Sequence, residues 1–247
     1  MTNVKELMKL AESGDPDAQC ELGLLYEDGE GVRRSLKEAI KWFRLSAEQG
    51  NPFGLFCLGM SYEDGEGVPQ NYKEAVRLYK LAAEKGHIDA PHRLGEMYYF
   101  GEGVRQSYEE AFKWYRLSAE RGEVDDQYNV GIMCAKGEGT EINDEEAVKW
   151  FRLAAEQENP GAMNGLGFMY QNGRGVPQSD EEAVKWFSIA AELGDANAMY
   201  NMGEMYRDGK GVPQDRKKAK EMFELADEYG CEEAEAALRE LSKKKNS

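Results

Sequence analysis

Basic side chains are too few in this chain to balance the acidic ones. It has 31 Lys and Arg residues against 47 Asp and Glu residues, which gives a formal net charge of -16. Phosphate backbones and anionic lipid headgroups are bound by surfaces with a surplus of Lys and Arg. The composition therefore argues against nucleic acid and against a bare membrane surface as partners.

The sequence also lacks a long apolar run. Charged residues interrupt the first ten positions every few residues, so these positions do not form the continuous apolar stretch of a signal peptide. No later window is long and apolar enough to cross a bilayer. From these two absences we expect a cytoplasmic protein without membrane insertion.

Cysteine and histidine are rare, which limits the possible chemistry. The four cysteines are Cys20, Cys57, Cys134 and Cys231. They show no close spacing of the kind used in zinc or redox sites, so we interpret them as buried free thiols. The glycine-rich runs lack both the third glycine of a nucleotide fingerprint and the ligand spacing of a calcium loop. The sequence therefore indicates no cofactor, no metal and no catalytic site.

One stretch, residues 22–32, recurs through most of the chain at an interval of 36 residues. Its further copies start at Leu58, Leu94, Val130, Leu166 and Met202. A strict period in this range is typical of repeat arrays, in which each unit buries its apolar face on its neighbours.

Start and stop signals predict two helices, A and B, in each repeat. Helix A follows Asp or Asn, often with Pro next, as in Asp15-Pro16, and ends at a glycine such as Gly29. Helix B follows Ser35, with Glu38 three residues later, which is the pattern of a capping box. The glycine equivalent to Gly23 in every copy predicts the close approach of another helix.

These signals divide the chain into six repeats and two terminal segments. We predict a capping helix in residues 1–13 and a capping helix with a basic tail in residues 231–247. The predicted repeats are 14–49, 50–85, 86–121, 122–157, 158–193 and 194–230. Because end caps cover the apolar faces of terminal repeats, we expect a monomer.

The fourth repeat departs most from the common pattern. Asp126 stands where the first repeat has the small Ala18, Cys134 replaces Tyr26, and Thr140-Glu141 replaces the usual Val-Pro. We predict that residues 123–145 are less stable than the neighbouring repeats.

The repeat combines Leu-Gly, a tyrosine four places after the leucine, a Gly-Glu-Gly-Val loop, an Ala before Trp-Phe and a closing Ala-Ala-Glu. In these features residues 14–230 resemble the Sel1-like repeat, a relative of the tetratricopeptide repeat. The resemblance implies an all-α, right-handed superhelical solenoid with A helices on the concave side. It also implies a non-catalytic scaffold or adaptor that binds a protein or peptide segment there.

One cysteine-rich bacterial branch of that family is associated with β-lactam binding. It carries two cysteines per repeat, eight apart, and no repeat in this chain does. A β-lactam-binding or hydrolase-like activity is therefore the alternative to the scaffold function.

A shift of two residues turns a helix by about 200°, so positions 20, 24, 27 and 28 and their equivalents should face away from the packing side. These positions vary between copies and include many apolar residues, which suggests a surface for a partner. The predicted partner-binding residues are Phe56, Met60, His92, Glu96, Tyr99, Phe100, Tyr128, Ile132, Asn164, Phe168, Tyr200 and Arg207.

Two alternatives concern parts of this face. The aromatic residues at the position of Tyr128 and Tyr200 could instead pack between neighbouring A helices. Glu27-Asp28 and Glu63-Asp64 form an acidic strip that either favours a basic partner segment or is simply solvated.

Overall fold

A computed structural model describes residues 4–243 and confirms the all-α prediction. The described residues form fourteen helices and contain no strand. The helices are Val4–Glu12 (α1), Pro16–Asp28 (α2), Leu36–Glu48 (α3), Pro52–Asp64 (α4), Tyr72–Glu84 (α5), Ala90–Phe100 (α6), Tyr108–Ala119 (α7), Val124–Lys136 (α8), Asp144–Glu156 (α9), Pro160–Asn172 (α10), Asp180–Glu192 (α11), Ala196–Asp208 (α12), Arg216–Glu228 (α13) and Glu232–Lys243 (α14). Residues 1–3 of the predicted leading segment and 244–247 of the basic tail lie outside the described part.

Local capping explains where these helices begin and end. The side chain of Asp15 accepts a hydrogen bond from the Ala18 amide at 2.9 Å, and Ser35 caps α3 in the same way. Gly29 closes α2 with φ 77°, a conformation that favours a residue without Cβ. The third repeat differs, because Asp89 makes no side-chain cap and α6 begins only at Ala90.

The recurring glycine in each A helix accommodates an aromatic ring from the B helix of the same repeat. A Cβ built on Gly23 would lie 2.5 Å from two ring atoms of Phe43, and one on Gly167 would meet Phe187 at the same distance. Equivalent contacts recur at Tyr79, Tyr115, Phe151 and Phe223. The glycine therefore leaves room for one aromatic ring. This defines its role more closely than the predicted close approach of another helix.

The tryptophans of the B helices differ in burial. Trp150 is 9% exposed, whereas Trp42, Trp114 and Trp186 are half-buried. The next residue in each repeat, such as Phe43, is at most 5% exposed and packs against the recurring glycine of helix A.

The chain divides into two compact units, Met1–Arg121 (unit 1) and Gly122–Ser247 (unit 2). In unit 1, α1 covers the first repeat by packing Leu7 and Ala11 against Leu22. In unit 2, α14 packs Ala237 and Leu241 against Phe223 of α13. Among the described helices, none has the length and apolar content that crossing a membrane requires.

Candidate functional site

In unit 1 the predicted binding face contains both open and closed positions. Leu24 on α2 and Met60 on α4 expose 39% and 38% of their surface, and Phe100 at the end of α6 exposes 65%. Cys20, the first position of the predicted face, is only 5% exposed. The prediction that position 20 faces solvent is therefore wrong for this residue, because the neighbouring A helix α4 covers it.

Phe56, at the equivalent position in the second repeat, is half-buried in an aromatic cluster. Its ring stacks on His87 with centroids 4.1 Å apart and lies 5.3 Å from the ring of Tyr79. His87 is itself 4% exposed, and this burial lowers the pKa of its imidazole. Phe56 thus helps to hold unit 1 together in addition to bordering the predicted face.

Arg93 joins the second and third A helices across this face. Its guanidinium pairs with Glu63 of α4 and donates to Glu96 of α6 at 2.7 Å. Tyr79 donates its hydroxyl proton to Glu63 as well. Burial raises the pKa of Glu63, although the bond from Tyr79 and the charge of Arg93 act in the opposite direction. Glu63 and Glu96 are therefore partly neutralised within the protein.

An acidic cleft opens at the carboxyl ends of α2 and α4, with a volume of about 520 Å³. It is lined by Glu27, Asp28, Arg34, Met60, Ser61, Asp64 and Glu66. Burial, followed by the charges of Asp28 and Glu66, raises the pKa of Glu27. The Nε of Arg34 donates a hydrogen bond to the backbone oxygen of Glu27 at 2.8 Å. The cleft thus carries four carboxylates and one guanidinium, so negative charge is in excess there.

The end of α6 carries a small aromatic group. The ring centroid of Tyr99 lies 5.1 Å from those of Phe100 and Tyr108. Tyr99 is half-buried, whereas Phe100 is among the most exposed apolar residues. His92, on the same helix, is half-buried with its Nε2 3.5 Å from Glu96 Oε2. The predicted residues His92, Glu96, Tyr99 and Phe100 therefore lie along one helix, but only Phe100 is widely exposed.

In unit 2 two of the predicted aromatic residues pack between helices. Tyr128 is half-buried, and a Cβ on Gly161 of α10 would lie 3.1 Å from its ring. The ring of Tyr200 lies 5.4 Å from that of Phe223. Tyr128 thus contacts the neighbouring A helix, as in the alternative prediction, whereas the ring contact of Tyr200 is with the B helix of its own repeat. Both side chains keep some exposed surface.

The other predicted residues of unit 2 differ in exposure and bonding. Phe168 exposes 45% of its surface, and Ile132 is half-buried. Asn164 accepts a hydrogen bond from Asn201 of the next A helix at 2.8 Å. Arg207 pairs with Glu204 and Asp208 at 3.0 Å and 2.7 Å. Phe168 is therefore the open apolar side chain of this set.

The sequence interpretation missed one close pair of side chains. The sulfur atoms of Cys20 and Cys57 lie 3.9 Å apart on α2 and α4, although the two residues show no close spacing in the sequence. The sequence contained a signal for this contact, because the two cysteines are separated by 37 residues, which is one repeat plus one position. Within residues 4–243, no three His, Cys, Asp or Glu side chains are placed to hold a metal ion.

Stacked two-helix repeats with a recurring glycine-aromatic contact and a variable A-helix face place the chain in the class of helical repeat proteins related to tetratricopeptide repeats. The Sel1 repeat model matches residues 16–51, 53–87, 88–123, 124–159, 160–195 and 196–226, and the chain belongs to the Sel1 repeat family. Proteins of this family generally mediate protein–protein interactions and are typically non-catalytic.

Solved structures that are similar to this chain include the following two. A protective antigen of uropathogenic Escherichia coli strains, described as having an SLR fold, is 39% identical with a TM-score of 0.86. The match covers 96% of this chain and 51% of the antigen, so this chain spans about half its length. A Sel1 repeat protein from Oxalobacter formigenes is 30% identical with a TM-score of 0.70, over 92% of this chain and 99% of that protein. Among proteins of curated function, none matches.

Proposed function

We propose that this protein is a non-catalytic scaffold that binds a segment of another protein along its A helices. In unit 1 the segment would carry both basic and apolar side chains. The observation that carries this proposal is the position of the acidic cleft beside the exposed Leu24 and Met60. A Lys or Arg side chain in the cleft would reduce repulsion among its carboxylates, and apolar partner groups would cover Leu24 and Met60.

The contacts decide which residues can test the proposal. Phe56 and Tyr128 have packing partners, so truncating them would disturb the protein as well as any binding surface. Asp64 and Glu66 border the cleft at the end of α4, and neither takes part in the Arg93 pairs. Their conversion to Asn and Gln removes two charges at little cost in shape.

The binding test uses a labelled peptide with alternating Lys and Leu residues and a matched peptide with Glu in place of Lys. Fluorescence anisotropy should show tighter binding of the Lys peptide by the wild-type protein. We expect the Asp64→Asn/Glu66→Gln variant to bind this peptide roughly 2- to 30-fold more weakly, since each exposed ion pair contributes about 0.2 to 1 kcal/mol. The Met60→Ala variant should also bind the Lys peptide more weakly than the wild type, at every salt concentration.

A matched control separates the cleft from the general acidity of the chain. Glu145 and Glu181 are exposed and lie in unit 2, so Glu145→Gln/Glu181→Gln removes the same charge elsewhere. We expect this variant to bind within about twofold of the wild type, because neither residue lines the cleft. Equal weakening by both double variants would show that net charge, not the cleft, attracts the peptide.

The β-lactam alternative is tested directly with nitrocefin and the purified protein. No cluster of side chains within residues 4–243 favours it, and we expect no hydrolysis above the rate in buffer. We further propose that the protein is a monomer, because α1 and α14 cover the terminal repeats of their units. Light scattering coupled to size-exclusion chromatography measures the mass that checks this.

A further inference from the structure

The close approach of Cys20 and Cys57 follows from the way successive A helices stack. The two residues are separated by 37 positions, and their sulfur atoms are 3.9 Å apart. The same separation in unit 2 places the side chains of Asn164 and Asn201 in a hydrogen bond of 2.8 Å. Side chains at this register therefore touch directly, and in the first two repeats both of them are thiols.

The surroundings distinguish the two thiols. Cys20 is 5% exposed, whereas Cys57 is half-buried beside Phe56. The contact with Cys57 lowers the pKa of Cys20, and the same contact together with burial raises the pKa of Cys57. This arrangement fits a Cys57 thiol that donates its proton to Cys20 sulfur, so Cys20 has the greater thiolate character of the two.

We propose that Cys20 and Cys57 form a reversible oxidation site, in which a small hydroperoxide converts the two thiols into a disulfide that links α2 to α4. A disulfide has sulfur atoms about 2.05 Å apart, so the atoms need to approach by about 2 Å. Rotation of the two side chains supplies this movement, since the helices that carry them already pack on each other.

The chemistry balances in two steps. The Cys20 thiolate attacks one oxygen of hydrogen peroxide, so an S–O bond forms, the O–O bond breaks and the departing hydroxide takes a proton to become water. The Cys57 sulfur then attacks the Cys20 sulfenic acid, and an S–S bond replaces the S–O bond. The hydroxyl group leaves as water with the proton of Cys57. The two sulfurs together lose two electrons, and one peroxide yields two waters.

The test is peptide mapping of the full-length protein after treatment with hydrogen peroxide and alkylation of the remaining thiols. Trypsin places Cys20 in residues 10–33 and Cys57 in residues 45–73, while Cys134 and Cys231 fall in residues 122–136 and 221–239. We expect one cross-linked species, between residues 10–33 and 45–73, that dithiothreitol reverses. The melting temperature of the oxidised protein should rise on the order of 5 °C, because the bond restricts the unfolded chain.

Two variants make the outcome decisive. Cys134→Ser/Cys231→Ser keeps the pair and should form the same cross-link, whereas Cys57→Ser should form none and should accumulate sulfenic acid at Cys20 that dimedone traps. The proposal is overturned if Cys20 and Cys57 remain separately alkylated or are oxidised to sulfinic acid without a cross-link. It is also overturned if the folded protein gives the same mixture of cross-links as protein oxidised in denaturant. A failure of peptide binding in the acidic cleft would leave these results unchanged.

Discussion

Replacing Gly167 with alanine perturbs the contact that every repeat shares. A Cβ at this position would lie 2.5 Å from two ring atoms of Phe187, whereas carbon atoms in contact are separated by about 3.5 Å or more. Phe187 is completely buried, so its ring has little room to move. In an unobstructed helix the same substitution would stabilise the protein by about 1 kcal/mol.

The two effects have opposite signs, and the geometry decides between them. Inserting a methyl group into a well-packed core costs about 1 to 3 kcal/mol, and an overlap of roughly 1 Å on two atoms belongs in the upper part of that range. We therefore expect Gly167→Ala to lower the free energy of unfolding by about 1 to 2 kcal/mol. Urea denaturation followed by circular dichroism measures this change.

A second substitution tests the cause of the loss. Phe187→Leu removes ring atoms that the new methyl group would meet, and alone it should cost about 1 to 3 kcal/mol by leaving a cavity. The double variant Gly167→Ala/Phe187→Leu should then lose less than the sum of the two single changes, by at least 0.5 kcal/mol or so. A more stable Gly167→Ala protein, or strict additivity in the double variant, would refute the explanation of the glycine by this ring.

Three further predictions concern charge, a buried donor and local stability. Because burial and neighbouring carboxylates raise the pKa of Glu27 in the folded state, its contribution is most favourable below pH 4 and declines as pH rises through the folded pKa. Glu27→Gln should therefore stabilise the protein at pH 7, by less than about 1 kcal/mol, and have no effect near pH 3.5, as thermal melts at the two pH values will show. The Nε1 of Trp114 is buried without an acceptor among the described residues, so Trp114→Phe should cost under about 1 kcal/mol in urea denaturation. Residues 123–145 follow the boundary between the two compact units, and hydrogen exchange there should be faster than in residues 159–181.

The helices could be predicted from the sequence because their ends depend on local signals. Asp15 and Ser35 cap their helices through residues three positions away, and Gly29 ends α2 by its own backbone conformation. The 36-residue period then fixes the number of A and B helix pairs. No information from distant residues is needed for any of these features, which explains why the all-α repeat fold was predicted correctly.

The exposure of the A-helix face could not be predicted in the same way. A helical-wheel argument gives the direction of a side chain relative to its own helix, but not the position of the next A helix. Cys20 is nevertheless covered, because α4 packs against α2 and brings the sulfur of Cys57 to 3.9 Å from that of Cys20. Phe56 is likewise half-covered, by His87, which lies in the connection between α5 and α6. The open positions, such as Leu24 and Met60, lie one turn further along the helices.

Contacts between side chains of different helices do follow fixed sequence separations, both within a repeat and between successive repeats. The side chains of Gln19 and Gln49 are joined at 2.8 Å and those of Gln127 and Gln157 at 2.9 Å, both at a separation of 30 residues. A separation of 34 joins Asp17 to Asn51 at 2.5 Å and Asp125 to Asn159 at 3.2 Å.

Because the same separations recur in unit 1 and unit 2, they are properties of the repeat and not of particular side chains. A separation of 37 residues also brings two side chains together, and the identity of the two residues determines how they interact. The amides of Asn164 and Asn201 form a hydrogen bond, whereas the thiols of Cys20 and Cys57 are in contact. A substitution at such a position therefore changes a pair of repeats at once. Single substitutions on the open positions, one turn away, can alter a partner surface while leaving these inter-repeat contacts in place.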